Sequence, residues 1–400
     1  MKINTDIQKI DKLINRGVEE IIDKNNLVQK LTAGKKLRIK LGIDPTAADL
    51  HLGHAVVLRK LRQFQDLGHT AVLIIGDFTT LIGDPSGRTA SRPKLTPAQI
   101  RNNMKDYIKQ ASKIININSA QIHYNSEWFS KQKMSFLMDL AGRFTVSRLI
   151  EREDFQKRLK GGFDVSMLEL LYPLLQGYDS VAVNADVELG GRDQRLNLLF
   201  GRKVQRAYNK PEQDILTVPL LIGTDGAKKM SKSIGNYIAL EEKPLLMFKE
   251  IMEISDASIW EYFTLLTDIP EDEIANMQKQ VENGLNPKEA KLKLAREIVS
   301  AYSSPREADA AQKEFIKIYI NKSLPQEISS LHINTADPLA VADLVFMTGA
   351  VSSKSAAKRL IGQNAVKIDG AIKNNWQEKI QTKTGQIIQI GKDKFFKIQT

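Results

Sequence analysis

The sequence predicts an α/β fold with a parallel β-sheet covered by helices, followed by a helical domain and a small α+β domain. Three observations predict this order. A strand–turn–helix–strand pattern occupies residues 35–75, helices rich in Ala, Leu, Glu and Lys run from Pro244 to about Ile320, and a basic module closes the sequence. At 400 residues the chain has room for two or three domains.

Composition restricts the class of protein. The hydrophobic content of 42% and charged content of 26% are typical of soluble globular proteins, and no run of 18 apolar residues predicts a membrane span. Because the sequence has no cysteine, a disulfide framework, a thiolate nucleophile and a cysteine-ligated zinc site are excluded. The first 22 residues mix charges with apolar residues at helical spacing, which favours a helix over a signal peptide. We therefore expect a cytoplasmic protein.

The positive charge is concentrated near the end of the sequence. The net charge is +11, and residues 341–400 contain ten Lys and Arg against four Asp and Glu, so this module alone carries +6. A concentrated positive surface suits a polyanion such as nucleic acid. Charge alone also leaves open a solvated, lysine-rich surface.

The first α/β unit positions two histidines. Leu37–Ile43 predicts a strand, residues 44–46 predict a turn, and residues 70–76 predict a buried parallel strand. Between them, apolar residues at helical spacing predict a helix: Val57, Leu58, Leu61, Phe64 and Leu67. This βαβ unit puts His51 and His54 at the carboxyl end of the first strand, where open α/β sheets bind ligands.

The sequence His51-Leu52-Gly53-His54 indicates a phosphate site. A helix N-terminus presents unpaired N–H groups and a partial positive charge, and Gly53 has no side chain to keep a nucleotide from the backbone. Two imidazoles add donors for charge that develops on leaving phosphates. A single histidine is more often a satisfied or surface residue, but two of them beside a glycine at a helix start favour the functional interpretation.

A second signature, Lys228–Ser233, follows a predicted strand at Thr217–Ile222 and a turn at residues 223–226. We expect an exposed, mobile loop whose ammonium groups suit oxygen atoms that move during a reaction. Alone, such a string is more often a solvated basic loop. With the histidine signature it predicts that ATP is held from two sides without a Walker loop. Residues 83–88 lack the Walker ending and predict a turn that brings Asp84 to the pocket.

A third segment indicates the second substrate. Tyr172, Gln176 and Asp179 recur at i, i+4 and i+7, which places them on one helix face. Buried polar groups need partners, and a bound zwitterionic amino acid with a phenol would supply them. Hydrogen bonds among these side chains or to water are the alternative. The Gly-Gly turn within Glu188–Gln194 is weak evidence alone.

Together these motifs resemble those of the class I aminoacyl-tRNA synthetases, and within them the bacterial-type tyrosyl enzymes, over nearly the whole chain. The resemblance implies activation of tyrosine by ATP, with Mg²⁺ delivered by the nucleotide, and transfer of the tyrosyl group to the 3′-terminal ribose of tRNA(Tyr). It also implies a homodimer, for which residues 136–159 are a candidate interface. Five histidines without cysteine or a spaced carboxylate set predict no protein-bound metal.

The family's motifs assign roles by position. The implied catalytic residues are Thr46, His51, His54, Lys229 and Lys232. The implied ATP-binding residues are Asp44, His51, Gly53, His54, Gly191, Asp193, Lys229, Ser231 and Lys232. The implied tyrosine-binding residues are Lys40, Gly42, Thr79, Asp84, Tyr172, Gln176, Asp179 and Gln194.

Within these sets the resemblance implies specific contacts. Tyr172, Gln176 and Asp84 would hold the ammonium group, and Asp179 would accept the phenolic hydroxyl. Asp193 would bind the ribose, and Gln194 would lie near the substrate carboxylate.

Two positions depart from the family pattern. Many members carry a tyrosine at the position of Lys40 and a glutamine at the position of Glu188. If Lys40 points inward, Asp179 recognises the substrate hydroxyl with a lysine beside it in place of the tyrosine that many members carry. The tyrosine assignment then depends mainly on Tyr172, Gln176 and Asp179.

We predict four segments. Residues 1–240 form a Rossmann-like catalytic domain. Residues 241–325 form a helical domain, which in the family faces the anticodon region and could otherwise be a packing appendage. Residues 326–338 form a polar linker. Residues 339–400 resemble an S4 RNA-binding domain.

Two local patterns support the last domain. Ser352 or Ser353 can cap a basic helix, and the Asp369-Gly370 turn predicts a hairpin. Basic residues on this module are the predicted RNA contacts: Lys354, Lys358, Arg359 and Lys367.

Three alternatives remain open at this point. A tryptophanyl enzyme of the same fold is the nearest competitor. A different nucleotidyl transferase acting on a small acid would not need the S4-like module. A catalytically idle RNA-binding protein would not need the intact histidine and lysine signatures.

Overall fold

The computed structural model describes residues 2–86, 95–321, 324, 328–335, 337–391 and 394–399. Gly87 and Arg88, at the end of the predicted turn, lie outside these ranges. The chain divides into two compact units, Met1–Pro305 and Arg306–Thr400.

A six-stranded sheet with the order β1-β6-β5-β2-β3-β4 forms the centre of the first unit. Its strands are β1 Glu20–Ile22, β2 Arg38–Ile43, β3 Thr70–Ile75, β4 Gln121–Tyr124, β5 Val187–Gly191 and β6 Asp214–Val218. All neighbouring strands are parallel except β1, which is antiparallel to β6 at the edge. The α/β fold class with a parallel sheet is therefore confirmed.

Helices cover this sheet and continue beyond it. Those before β5 are α1 Ile7–Asn15, α2 Lys24–Thr32, α3 Leu52–Asp66, α4 Pro97–Met104, α5 Tyr107–Ser112, α6 Ser126–Phe129, α7 Met134–Gly142, α8 Val146–Ile150, α9 Glu153–Lys160 and α10 Met167–Ala182. Those after β5 are α11 Arg195–Ala207, α12 Pro244–Glu253, α13 Ile259–Leu266, α14 Glu271–Glu282 and α15 Pro287–Tyr302.

The sheet topology creates a crevice between β2 and β5. From β2 the chain moves through α3 to β3 and then β4 on one side, and it later returns to β5 and β6 on the other side. The strand order therefore reverses beside β2, and ligands of open α/β sheets bind at such switch points, at the carboxyl ends of the strands. The predicted βαβ unit is confirmed, with the helix starting at Leu52 so that His54 lies in its first turn.

One predicted strand is shifted. The sequence pattern suggested Thr217–Ile222, but β6 spans Asp214–Val218. Pro219 ends it, because proline has no N–H to donate to a neighbouring strand.

The helices after residue 240 pack into the same compact unit as the sheet. Arg16, at the end of α1, donates to the carbonyls of Thr267 and Ile269 at 3.0 and 2.6 Å, and the Tyr262 hydroxyl donates to the carbonyl of Ile222 at 2.6 Å. These bonds hold α13 and the residues after it against α1 and the segment that follows β6. The structure therefore shows no separation into two units at residue 240, although the change from sheet to helices occurs there.

The second unit contains a five-stranded sheet with the order β10-β9-β12-β13-β7 and a two-stranded pair, β11 with β8. Its strands are β7 Ser329–His332, β8 Leu339–Ala340, β9 Val366–Ile368, β10 Ala371–Ile372, β11 Lys379–Ile380, β12 Ile387–Ile390 and β13 Lys394–Gln399. Its helices are α16 Pro305–Phe315, which begins at the last residue of the first unit, a π-helical stretch at Ile316–Ile320, α17 Val341–Met347 and α18 Lys354–Gly362.

The stretch expected to be a linker contributes to this sheet. Residues 329–332 form β7, which pairs in parallel with β13 and buries Leu331. A single buried leucine among polar residues gives little sequence signal for a strand. The Ser353 cap is confirmed, because its hydroxyl accepts from the N–H of Ala356. The predicted tight turn is also present, with positive φ at both Asp369 and Gly370.

In the parts of the chain that the structure describes, no helix is both long enough and apolar enough to cross a membrane.

Candidate active site

The site begins at the N-terminus of α3, where two histidines cap the helix reciprocally. His51 is the N-cap residue, and its Nδ1 accepts from the N–H of Gly53 at 3.1 Å. In return, Nδ1 of His54 accepts from the N–H of His51 at 3.2 Å. A Cβ atom at position 53 would lie 2.9 Å from the His51 ring. Only glycine therefore fits at position 53 without displacing that ring.

Burial determines the charge of both rings, and the capping bonds determine which nitrogen carries the proton. Burial, followed by the nearby His54, Lys232 and Lys229, lowers the pKa of His51 to about 2, and burial lowers the pKa of His54 to about 4. Both imidazoles are thus neutral near pH 7. Since each Nδ1 accepts a hydrogen bond, each proton resides on Nε2. The helix mouth therefore carries two neutral N–H donors.

The lysine signature forms a hydrogen-bonded hairpin. The N–H of Gly223 donates to the carbonyl of Lys228 at 2.8 Å, and the N–H of Met230 donates to the carbonyl of Leu221 at 2.8 Å. The buried side chain of Asn236 holds the tip, because it accepts from the N–H of Ser231 at 2.8 Å and donates to Asp225 at 3.0 Å.

The two signatures are neighbours in space. After the hairpin the chain pairs with the segment that leads into α3: the N–H of Leu52 donates to the carbonyl of Ile238 at 3.0 Å, and that of Leu240 to Leu50 at 2.9 Å. Lys232 Nζ lies 2.5 Å from Asp49, two residues before His51, and Lys229 Nζ lies 2.6 Å from Asp193. The two lysines therefore lie at the same end of the sheet as the two histidines.

The loop that follows β2 is fixed by α4 and α5. Asn103 donates to the carbonyl of Pro45 at 2.9 Å, the Tyr107 hydroxyl donates to Ala47 at 2.6 Å, and the Gln110 side chain bonds the main chain of Ala48 and Leu50. Thr46, one of the implied catalytic residues, lies within this loop. Its position is therefore well supported by neighbouring helices.

A second group of polar residues lines the crevice. Asp44, which follows β2, accepts from the hydroxyl of Thr79 at 2.8 Å and from that of Tyr172 at 2.9 Å. Burial beside Asp44 and Asp84 raises the pKa of Tyr172 well above its usual value, so its phenol stays protonated and acts as a donor. Gly42 is the exposed residue of β2, and a Cβ atom there would meet nothing within 4 Å.

Asp179 lies deeper in the same group. The indole of Trp128 donates to it at 2.9 Å and the Asn125 amide at 3.4 Å. Burial is the largest influence and raises the pKa of Asp179 to about 7, although Lys40 and the two donors act in the opposite direction. This carboxylate is a strong but costly acceptor in a dry environment.

Asp84 and Gln194 meet across the crevice. Gln194 Nε2 donates to Asp84 at 2.6 Å, and the buried amide of Asn197 donates to Asp84 at 3.3 Å and to Gln194 at 2.9 Å. Arg152 is buried beside this group and bonds Asn197 and Asp154. Gln194 follows the glycine turn of β5, where a Cβ atom at Gly191 would lie 2.8 Å from the Asp193 carboxylate.

Gln176 has one amide atom without a partner among the residues that the structure describes. Its Nε2 donates to Glu188 at 3.4 Å, whereas its buried Oε1 accepts from none of the described residues. An orphaned buried acceptor is costly. It is the kind of atom that a donor on a bound ligand would satisfy.

The structure brings together the predicted residues of the first unit at the carboxyl ends of β2, β3 and β5 and the start of α3. Lys40 lies at the back of the group, paired with Glu188. The predicted RNA-binding residues belong to the second unit: Lys354 pairs with Asp343 at 2.6 Å, and Lys358 Nζ lies 3.8 Å from the centre of the Trp376 ring. Among the described residues no three metal-ligating side chains converge.

Several polar residues of the site carried no recognisable sequence signal. Asn125 and Trp128 follow β4, Asn197 lies on α11 and Arg152 directly precedes α9, so only the folded chain brings them to the crevice. Asp49 could have been noticed, because it is an acidic residue two positions before the histidine signature.

Comparisons with known proteins agree with this geometry. Residues 32–320 match the family model of class I tRNA synthetases (W and Y). The chain is 47% identical to the tyrosine–tRNA ligase of Burkholderia lata over 401 aligned residues, covering 99% of this chain and 96% of the relative. It is 45% identical to that of Thermotoga maritima over 388 residues, covering 97% and 96%.

A solved structure shares the fold. A C-terminally truncated mitochondrial tyrosyl-tRNA synthetase from Aspergillus nidulans superposes with a TM-score of 0.67 at 21% identity, over 78% of this chain and 94% of that one.

Proposed function

The chain belongs to the class I tRNA synthetases, and within them to the tyrosine–tRNA ligases, and from this we propose which of its residues carry each step of the reaction. As a tyrosine–tRNA ligase it activates tyrosine with ATP and charges tRNA. The observation that carries the assignment is the 2.5 Å contact of Lys232 with Asp49 beside His51, which joins the two phosphate-binding signatures at the crevice.

In the first step, a carboxylate oxygen of tyrosine attacks the α-phosphorus of ATP. The bond from that phosphorus to the bridging oxygen breaks, and pyrophosphate leaves with the electron pair. In the second step, a hydroxyl oxygen of the 3′-terminal ribose of tRNA attacks the tyrosyl carbonyl carbon. The bond from that carbon to the phosphate oxygen breaks, AMP leaves with the electron pair, and the hydroxyl proton is released. No covalent enzyme intermediate is needed, so catalysis consists of orientation and charge stabilisation.

ATP is proposed to lie between the mouth of α3 and the hairpin. The Nε2–H groups of His51 and His54, with Thr46, would donate to the phosphates, and the nucleotide would rest against Gly53. Lys229 and Lys232 would exchange their carboxylate partners for phosphate oxygens, with Ser231 alongside. Asp44, Gly191 and Asp193 would hold the nucleoside. Mg²⁺ would arrive as part of the nucleotide substrate.

Tyrosine is proposed to occupy the crevice between β2 and β5. Its ammonium group would bond Asp84, the Tyr172 hydroxyl and the orphaned Oε1 of Gln176, with Thr79 supporting Asp44. Its carboxylate would lie near Gln194, and its backbone would pass over Gly42.

Its phenol would donate to Asp179. Phenylalanine would leave that buried acceptor unpaired, and tyrosyl-tRNA synthetases are the standard example of this form of discrimination. A tryptophan substrate would have no phenol for it.

The second unit is proposed to bind tRNA(Tyr). Lys354, Lys358 and Arg359 lie on α18, and Lys367 lies on the adjacent β9, so basic groups cluster on one small module. Such a module suits an RNA backbone through phosphate contacts. Because the proposed partner is a tRNA and the proposed reaction is aminoacylation, we propose that the protein acts in the cytoplasm.

A second copy of the chain is proposed to cover the surface formed by residues 134–168, which run from α7 into the first turn of α10. This surface exposes large apolar side chains: Met134, Met138, Val146, Leu159, Phe163, Met167 and Leu168. Such a patch marks an interaction surface, and part of it lies within residues 136–159. Sedimentation should find a dimer that Met138→Asp converts to monomer, and a parental monomer would refute the interface.

Pyrophosphate exchange across the twenty amino acids tests the function. We expect exchange with tyrosine, and at most trace exchange with phenylalanine or tryptophan. Exchange supported by tryptophan, or by no amino acid, would overturn the assignment.

A further inference from the structure

Lys40 and Glu188 form a fully buried ion pair at the base of the crevice. They are directly opposite each other in the parallel register of β2 and β5. Lys40 Nζ lies 2.7 Å from Glu188 Oε1, and the side chains are 0% and 1% exposed. These are the same two positions that depart from the family pattern in the sequence.

The ammonium group of Lys40 has no proton left for a ligand. Besides Glu188, it donates to the main-chain carbonyl of Gln176 at 2.8 Å and to the hydroxyl of Ser180 at 2.7 Å. An ammonium has three N–H donors, and these three acceptors use all of them. The prediction that Lys40 contacts tyrosine is therefore not supported by the geometry.

Four hydrogen bonds connect the pair to α10, the helix that presents the tyrosine-binding side chains. Glu188 accepts from the Gln176 amide at 3.4 Å and from the Ser180 hydroxyl at 3.2 Å, and also from the side chain of Gln213. Ser180 directly follows Asp179. The pair is thus bonded to Gln176, a proposed contact of the ammonium group. It is also bonded to Ser180, the neighbour of Asp179, which is the proposed contact of the phenol.

We propose that the buried Lys40–Glu188 pair is a positioning device that determines tyrosine specificity: it holds Gln176 and Asp179 of α10 in register with β2 and β5 without contacting the substrate. This inference rests on the proposed function. The charge of Lys40 also favours the ionised form of Asp179, which is the form that accepts a phenol.

A buried ion pair is weak evidence for stability, because desolvation offsets the attraction between the charges. A positioning role explains better why both charges are placed under the crevice. The alternative, a pair that only stabilises the fold, predicts equal effects on all ligands.

The test uses the full chain with Lys40→Met, Glu188→Gln and the double substitution. Titration calorimetry would measure the Kd of tyrosine and of phenylalanine, and exchange would measure KM for ATP. We expect tyrosine affinity to fall by about tenfold or more in each single variant, and phenylalanine affinity to fall clearly less, because phenylalanine uses Gln176 but has no hydroxyl for Asp179. KM for ATP should change by less than about threefold. The double variant should be no weaker than the worse single variant, because neither charge is left unpaired.

Lys30→Met is the matched control. It breaks the contact of Lys30 with the buried Asp214 at the start of β6, at 2.8 Å, away from the crevice. This control should lower the melting temperature and leave tyrosine affinity unchanged. Should a single variant fail to fold, the uncharged double variant still has to show the reduced preference for tyrosine over phenylalanine.

Two outcomes overturn the inference. If folded variants bind tyrosine with the parental affinity, the pair only stabilises the fold. The same conclusion follows if the variants lose affinity equally for tyrosine, phenylalanine and ATP. If the parental chain itself binds no tyrosine, the proposed function fails and takes this inference with it.

Discussion

At the scale of single residues, local bonds decide what each side chain can do. The imidazoles of His51 and His54 are donors at neutral pH because backbone N–H groups occupy both Nδ1 atoms and burial keeps the rings uncharged. Neutral N–H donors can stabilise the negative charge that develops on a leaving phosphate, and they do not repel the nearby lysines. The sequence predicted the two histidines but not their protonation state, which depends on the folded environment.

The protonation of Asp179 predicts a pH dependence of tyrosine binding. Burial raises its pKa to about 7, so it loses charge as the pH falls below 7 and becomes a poorer acceptor for the phenol. We expect the Kd of tyrosine to increase by about tenfold between pH 8 and pH 6. His51 and His54 do not titrate in this window, because their pKa values are about 2 and 4.

Calorimetry over this pH range checks the prediction. Asp179→Asn should bind tyrosine weakly and without a slope in pH, and phenylalanine should give no slope with the parental chain. A flat profile for tyrosine in the parental chain would contradict the role of Asp179 as the phenol acceptor.

At the scale of elements, the site depends on short segments held by polar side chains. Asn236 connects the tip of the lysine hairpin to Asp225 and to the N–H of Ser231. A Cβ atom at Gly223 would lie 2.3 Å from Asn236, so the turn and this side chain are fitted to each other. A hairpin that must bring Lys229 and Lys232 to a nucleotide requires such support.

Removing this support should slow activation. In Asn236→Ala we expect the rate of pyrophosphate exchange to fall by about tenfold while the Kd of tyrosine stays constant, because the hydrogen bonds of the Asn236 side chain lie within the hairpin. Ser233→Ala is the control, since in the described part of the chain that exposed hydroxyl bonds only to Ser231. Equal effects of the two substitutions would show that Asn236 has no special part in holding the hairpin.

Sequence patterns predicted the elements with strong local signals and missed those that depend on distant contacts. The βαβ unit, the cap at Ser353 and the Asp369-Gly370 turn were predicted because apolar spacing and turn residues are local. Strand β7 and the start of β6 were not, because their pairing depends on strands far away in the sequence. For the same reason, the sequence showed Lys40 and Glu188 only as two separate departures from the family pattern and not as a pair.

At the scale of the whole molecule, the proposed catalytic crevice and the predicted RNA-binding residues belong to different compact units. The crevice belongs to the first unit, and the predicted RNA-binding residues belong to the second. We therefore expect substitutions to alter activation and RNA binding independently.

Removing charge from α18 should affect tRNA alone. For Lys358→Ala combined with Arg359→Ala, we expect KM for tRNA to rise by about tenfold, with a weaker dependence on salt, because two phosphate contacts are lost. Pyrophosphate exchange, which needs no tRNA, should be unchanged. Lys9→Ala, an exposed lysine on α1, controls for net charge, and an equal effect of that substitution would argue against a specific RNA surface.

The central claim is that the mouth of α3 and the lysine hairpin act on the same nucleotide, and single-turnover formation of tyrosyl-adenylate tests it most directly. With saturating tyrosine and ATP, His51→Asn and Lys232→Ala should each lower the rate by about 100-fold. The Kd of tyrosine should stay within about twofold, and Lys228→Ala, at an exposed lysine of the same hairpin, should react at the parental rate. Adenylate formation at the parental rate in either His51→Asn or Lys232→Ala would contradict the account.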